Sequence, residues 1–224
     1  MSYPYRCILP MDRYLICAGD VPACSFLPAD LAEADLSSTD KWMPLHDGAG
    51  NQLVVSDLEI RCKFAYEKFL IAESERLLRD LALNYDINVG EALTESENVS
   101  ARLRVGYVHE ALVIDDAGVI DGVDVGMGLF AGDDIPFDTF LGEYTGLLSN
   151  SSQRASISAY CVQYPSCDGG TFIDASACGN LTRFINHSTR PNAAFRSYFF
   201  DGSFHIVCVS NACDRSVALQ TFYR

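Results

Sequence analysis

The decisive stretch is Arg183-Phe184-Ile185-Asn186-His187-Ser188-Thr189-Arg190-Pro191-Asn192, preceded at short range by Ile173-Asp174-Ala175 and Gly179-Asn180. Such a run is hard to produce by chance, whereas a lone Gly-x-Gly turns up in many turns. Two further clusters stand upstream of it, Gly126-Met127-Gly128-Leu129-Phe130-Ala131 and Gly142-Glu143-Tyr144-Thr145-Gly146. Around all three lie short β-type runs, Thr139-Phe140-Leu141, Thr171-Phe172-Ile173 and Tyr198-Phe199-Phe200, separated by Gly, Asp, Asn and Pro. Asp201-Gly202 joins the last of these to Ser203-Phe204-His205-Ile206-Val207 and predicts a hairpin, because both turn positions tolerate positive φ. This half of the chain reads as short strands and loops.

Moving outward, Ala101-Arg102-Leu103-Arg104-Val105 and Leu112-Val113-Ile114 read as strands, and the change of period after the polar stretch Thr94 to Asn98 predicts a boundary between residues 1–98 and 99–224. Farther upstream, Ser56-Asp57-Leu58-Glu59 has capping-box spacing and predicts a long helix over about 56–84. Ile60, Phe64, Ile71 and Leu78 fall on one face of it, widened by Leu70, Leu77 and Leu81, with Glu67, Lys68, Glu73, Glu75 and Arg76 largely opposite. The plain reading is a core-facing helix; the same apolar face would also serve a homodimer. Residues 1–55 show no lasting period and point to no chemistry.

Composition narrows the function classes. With 49% hydrophobic residues in a chain of 224, one substantial core can be buried, so the chain is globular. No apolar run approaches the ~20 residues of a membrane-crossing helix, and Met1-Ser2-Tyr3-Pro4-Tyr5 lacks the basic-then-apolar order of a secretory signal. No membrane association is expected. Nine cysteines occur without a C-x-x-C pair, which argues against a zinc knuckle and for reduced thiols in a cytoplasmic or nuclear compartment. Export to a host cell by a specialised secretion system needs no ordinary signal and stays open. The net charge of −14, from 30 acidic against 16 basic side chains, repels phosphate backbones and attracts cations. Direct nucleic-acid binding is therefore not expected, and a Lys/Arg-rich protein partner is; the plainer alternative is that acidity serves solubility.

In order, spacing and residue type, the three clusters resemble the SET-domain protein lysine methyltransferases, over most of Val99 to Arg224 and none of the first half. The layout is also similar to small bacterial SET proteins of the chlamydial type. The resemblance implies an α+β, SET-type fold of short β-sheets and loops behind a partly helical N-terminal region, with S-adenosylmethionine as cofactor. Gly126 and Gly128 would let main-chain groups hold the methionine end of that cofactor, with Met127 beside it where the family places a bulky residue. Tyr160 resembles the residue packed on the methionine part, Arg183 suits the carboxylate, and Asn186 with His187 suits the adenine edge. A metal role for His187 is not expected, since the other three histidines lie in no matching cluster.

The implied reaction places a neutral lysine amine in line with a sulfonium methyl. By position Tyr144 matches the family's Tyr-x-Gly tyrosine and Tyr223 its C-terminal one, both expected to be catalytic, with Phe195 and Phe222 as walls of the substrate channel. The alternative for each tyrosine is a packed core aromatic. The ending departs from the family pattern: Ala218 and Phe222 replace its carboxylates, Ser216-Val217 replaces its Gly-Glu lead-in, Thr189 stands where many relatives have cysteine, and one residue follows Tyr223. The expected function is methylation of a basic protein, histone-like by family analogy; the alternative is a weak or silent module that binds a protein partner. Closure of the site would fall to the N-terminal helix or to a second subunit.

Overall fold

The structure is a computed structural model of the chain and describes residues 15–16, 45–47, 49–83, 97–120, 123–124, 126–150, 158–166, 169–188, 190–200, 203–211 and 220–221. It is α+β, with short strands in several small sheets and three α-helices among the described residues. The largest sheet runs in the order Leu15–Ile16, Ile71–Ala72, Leu147–Ser149, Phe172–Asp174, Cys161–Gln163. A second joins Phe140–Glu143, Ser203–Ser210 and Ala193–Phe200. Phe200 pairs with Ser203 in that sheet, where the two strands run antiparallel; the Asp201-Gly202 turn expected between them lies outside the described residues. Met127–Ala131 pairs antiparallel with Leu112–Asp116. No described helix is long and apolar enough to cross a membrane.

Two sequence expectations are corrected. The helix expected over 56–84 is two helices, Val55–Cys62 and Glu75–Leu83. Lys63 turns left-handed (φ 53°, ψ 50°) and its N–H closes on the Glu59 carbonyl, ending the first helix. The residues beyond are taken into sheets: Ala65 pairs with Cys178, and Ile71 with Leu147. Tertiary pairing thus overrides a helical stripe, and no capping box forms, because Glu59 reaches the Tyr66 N–H at 2.6 Å instead. The second helix is capped where the sequence was silent, by Ser74 Oγ accepting from the Leu77 N–H at 3.2 Å.

The second correction concerns 101–105, expected as a strand and found inside helix Glu97–Val105. A five-residue alternation fits one buried leucine as well as it fits a strand. Leu103 is that residue; it packs with Phe140, Tyr198, Val207 and Val209, with Val99 one turn earlier beside them. The boundary expected between 98 and 99 therefore falls within a helix.

Each helix drives leucines into a different part of the core. Leu58 joins Leu112, Ile114, Leu129, Leu181 and Phe184; Leu77 and Leu78 join Tyr144, Leu148 and Ile173; Leu103 closes the third cluster. A fully buried leucine contributes roughly 1.5–3 kcal/mol, so the segment ahead of residue 106 is integral to the fold. Phe64 and Ile71, whose apolar face suggested a homodimer, are buried in this same chain, which leaves neither free to face a second copy.

Two glycines let the backbone cross itself under Tyr144. A Cβ on Gly146 would lie 2.6 Å from the Asp174 carbonyl oxygen, and one on Gly179 (φ 156°) 2.6 Å from that of Thr145. Both obstacles are main chain, which cannot swing aside as a flexible side chain does. Gly146→Ala is expected to lose about 1–3 kcal/mol of stability. Urea unfolding would read this as a lowered midpoint at unchanged slope; an unchanged midpoint would mean the crossing is looser than described.

Candidate active site

The site is built on the 3-10 turn Leu181–Phe184. Asn180 caps it, its Oδ1 accepting from the Thr182 N–H at 3.0 Å. The Asn180 amide meanwhile donates to the Glu143 carbonyl at 2.8 Å, and the Thr182 hydroxyl lies within reach of both that carbonyl (3.1 Å) and Asn180 Oδ1 (2.7 Å). Two segments about forty residues apart are thereby fixed side by side. The Glu143 side chain turns the other way and meets His205 Nδ1 at 2.6 Å, both groups being buried. Asn180 and Glu143 stand in the clusters read from sequence, but no role was given to them, to Thr182 or to His205; an Asn two residues ahead of a Thr is a capping signal, but its link to Glu143 leaves no trace in the string.

This strap brings several of the expected residues together. Tyr144, 1% exposed, donates its hydroxyl to the Tyr160 carbonyl at 2.7 Å and meets Phe195 edge-on, with centroids 5.2 Å apart. Arg183 is buried, Nε donating to the Ala175 carbonyl (2.8 Å) and Nη2 to that of Ser176 (3.3 Å). Its guanidinium carbon lies 4.3 Å from the centroid of Phe64, 4.4 Å from Tyr160 and 4.8 Å from Phe184. Burial pushes its pKa down, and the Tyr160, Tyr144, Cys62 and Cys178 side chains act the other way. Arginine stays charged even so. Among the described residues no carboxylate pairs with it.

At the far end of the turn, Asn186 and His187 form a short strand parallel to Gln220–Thr221. Asn186 lies against the second expected cluster: a Cβ on Gly128 would come within 3.2 Å of Asn186 Nδ2, 2.9 Å of Ala117 Cβ and 3.0 Å of the Phe130 ring. That amide nitrogen is buried and has no hydrogen-bond partner, an arrangement that costs about 1–3 kcal/mol unless a ligand acceptor meets it. Gly126 (φ 69°) opens the strand at an exposed position, Met127 is half-buried against the core, and His187 is exposed. Phe222 and Tyr223 lie outside the described residues, one and two positions beyond Thr221. No group of three or more His, Cys, Asp or Glu with metal-binding arrangement occurs among the described residues.

Residues 126–212 match the family described as SET domain. This chain carries a SET domain. It is 39% identical to histone-lysine N-methyltransferase EHMT1 of Mus musculus across 72 residues, covering 31% of this chain and 6% of that protein. It is 31% identical to histone-lysine N-methyltransferase SETD2 of Homo sapiens across 98 residues (41% and 4%). It is 36% identical to the H3 lysine-4 specific histone-lysine N-methyltransferase of Chaetomium globosum across 90 residues (36% and 8%). The chain thus spans less than a tenth of the length of these relatives. Among solved structures, Chaetomium thermophilum polycomb repressive complex 2 is similar at 26% identity and TM-score 0.45, over 54% of this chain and 16% of that one. A ctPRC2 structure bound to S-adenosylmethionine in an autoinhibited conformation has the same identity and coverage at TM-score 0.47.

Beside the SET domain's Tyr144-Thr145 sits a perturbed carboxyl that sequence did not single out. The Glu67 backbone is held by Thr145, whose hydroxyl donates to its carbonyl at 2.8 Å, and by the Gly179 carbonyl, which accepts its N–H at 2.9 Å. Burial first, and the Glu59 carboxylate second, raise its side chain from 4.5 to about 7. A raised acid pKa means the folded state holds the proton more tightly, so this contribution to stability is complete below about pH 4.5 and lost as pH rises through about 7. Glu67→Gln is expected to flatten that dependence and to be more stable than the parent at pH 8. Urea melts at pH 5 and pH 8 decide it: an identical difference between the two proteins at both pH values would rule out the perturbation.

Proposed function

We propose that the chain is an S-adenosylmethionine-dependent protein-lysine N-methyltransferase acting on a Lys/Arg-rich protein tail, with histones the leading substrate class. The observation that carries this reading is the orphaned Asn186 amide beside Gly128, at one end of the turn whose other face holds Arg183 with no acidic partner among the described residues. One end offers a donor to a nucleobase edge and the other a cation to a carboxylate, which fits a nucleoside-linked amino acid. Gly126 and Gly128 open the main chain to it, Met127 and Tyr160 line it, and His187 borders its adenine end. When bound, the cofactor supplies an electrophilic methyl on a sulfonium.

The chain's own task is to admit and orient a neutral amine. A free lysine has a pKa of about 10.4, so at pH 7.4 roughly one in a thousand is neutral, a penalty of about 4 kcal/mol. The apolar faces of Tyr144 and Phe195, packed edge to face, disfavour the ammonium form by excluding water. Because the Tyr144 hydroxyl hydrogen is committed to the Tyr160 carbonyl, its oxygen can act toward an amine N–H only as acceptor, which orients the nitrogen lone pair away from it. Tyr223 is proposed to supply the second phenol, with Phe222 as an added wall. The net charge of −14 favours encounter with a basic tail and disfavours direct contact with nucleic acid.

Ala218 and Phe222, standing where the family has carboxylates, favour a second reading, a SET module that binds partner or cofactor without turnover. Incubation with labelled cofactor and a core-histone mixture separates the two. Label transfer to lysine is expected, with Tyr223→Phe slowing it on the order of 100-fold. Cofactor at 100 times its Kd is expected to stabilise the protein by about 2.7 kcal/mol in a thermal melt. Stabilisation without transfer would select the silent module, and absence of both effects would refute the methyltransferase and leave only a module that binds a protein partner.

A further inference from the structure

Arg183 is enclosed by groups from both halves of the chain. Of the three rings around its guanidinium, Tyr160 and Phe184 belong to the SET domain, whereas Phe64 lies more than sixty residues ahead of it. Phe64 is 6% exposed and meets Phe184 edge-on at 5.6 Å. The segment that carries it is fastened to the loop that holds the guanidinium: the Ala65 N–H donates to the Ala177 carbonyl and the Glu67 N–H to that of Gly179, both at 2.9 Å. The same loop supplies the Ala175 and Ser176 carbonyls to Nε and Nη2.

We infer that Phe64 is a positioning residue for Arg183, through which the segment ahead of the SET domain completes the anion-binding end of the cofactor site within one chain. This rests on the cofactor reading proposed above. Aromatic faces hold a guanidinium without consuming its N–H groups, so stacking fixes the plane while Nη1, which no described group engages, stays available to a carboxylate. An aliphatic side chain at position 64 would fill the space but leave that plane free to tilt.

Two ligands separate this role from a merely structural one: S-adenosylhomocysteine, which carries the amino-acid carboxylate, and 5′-methylthioadenosine, which lacks it. By calorimetry Phe64→Leu is expected to bind the first about tenfold more weakly and the second unchanged, and Phe64→Tyr, which keeps the ring, to bind both as the parent does. Equal weakening toward both ligands, or none toward the first, would overturn the inference. Phe64→Met, longer and more adaptable in shape, carries the same comparison if the leucine variant loses its cooperative melt. If both variants fail to fold, the unaltered protein still decides: the Arg183 Nε–H resonance must move on titration with S-adenosylhomocysteine and not with 5′-methylthioadenosine, and a resonance that stays put overturns the inference. A parent protein that binds neither ligand would instead refute the cofactor reading itself.

Discussion

The Glu143 carbonyl is the point on which the arrangement turns. It accepts from Asn180 across 37 positions of sequence and lies within reach of Thr182 across 39, and both donors are themselves committed to capping the turn that presents Arg183. A buried carbonyl that lost these donors would be left unsatisfied at a cost of about 1–3 kcal/mol, and the capping would weaken with it. Fold and site therefore share hydrogen bonds. The Gly146 and Gly179 crossing belongs to the same joint, since main chain must pass main chain at contact distance for Tyr144 to reach the Tyr160 carbonyl.

The segment ahead of the SET domain works as a wall of the same structure. Its strands pair with SET strands, Ala65 with Cys178 and Ile71 with Leu147, and its leucines occupy the two clusters that flank the site. What distinguishes this from ordinary core packing is where Phe64 ends up. It covers a buried cation, a place where aliphatic packing alone would leave a charge facing hydrocarbon, and an aromatic quadrupole gives back part of the solvation that burial removes. Phe64 and Ile71, which sequence offered as part of a dimer surface, are spent on their own chain.

The legible parts of the sequence were those in which residue types stand at fixed spacing. Gly128 and Asn186 are 58 positions apart, in two clusters that sequence read together, and the fold sets them against one another. The antiparallel pairing of Phe200 with Ser203 was legible because its signal is local. The misread parts share a different cause. The stripe from Ile60 to Leu78 is a true apolar pattern, but the partners that break its helix, Cys178 and Leu147, lie about a hundred and about seventy-five positions away. In 101–105 the alternation was too short to separate one period from another. The Glu143–His205 pair, the Asn180 strap and the raised Glu67 carboxyl depend on burial and on neighbours remote in sequence, which periodicity and motif spacing do not encode.

The charge pattern ties these observations together. Thirty acidic side chains against sixteen basic ones make a carboxylate the commonest ionic neighbour a cation could find. Glu143 is paired with His205, and Glu67 faces Glu59, yet among the described residues none of the acids reaches Arg183. An internal acid hydrogen-bonded to it would have to be desolvated as well, and would cancel the charge. The fold instead gives Arg183 two neutral carbonyl acceptors and three aromatic rings close to its guanidinium. That leaves a positive site inside a negative molecule, an arrangement in keeping with the proposed cofactor carboxylate and basic substrate.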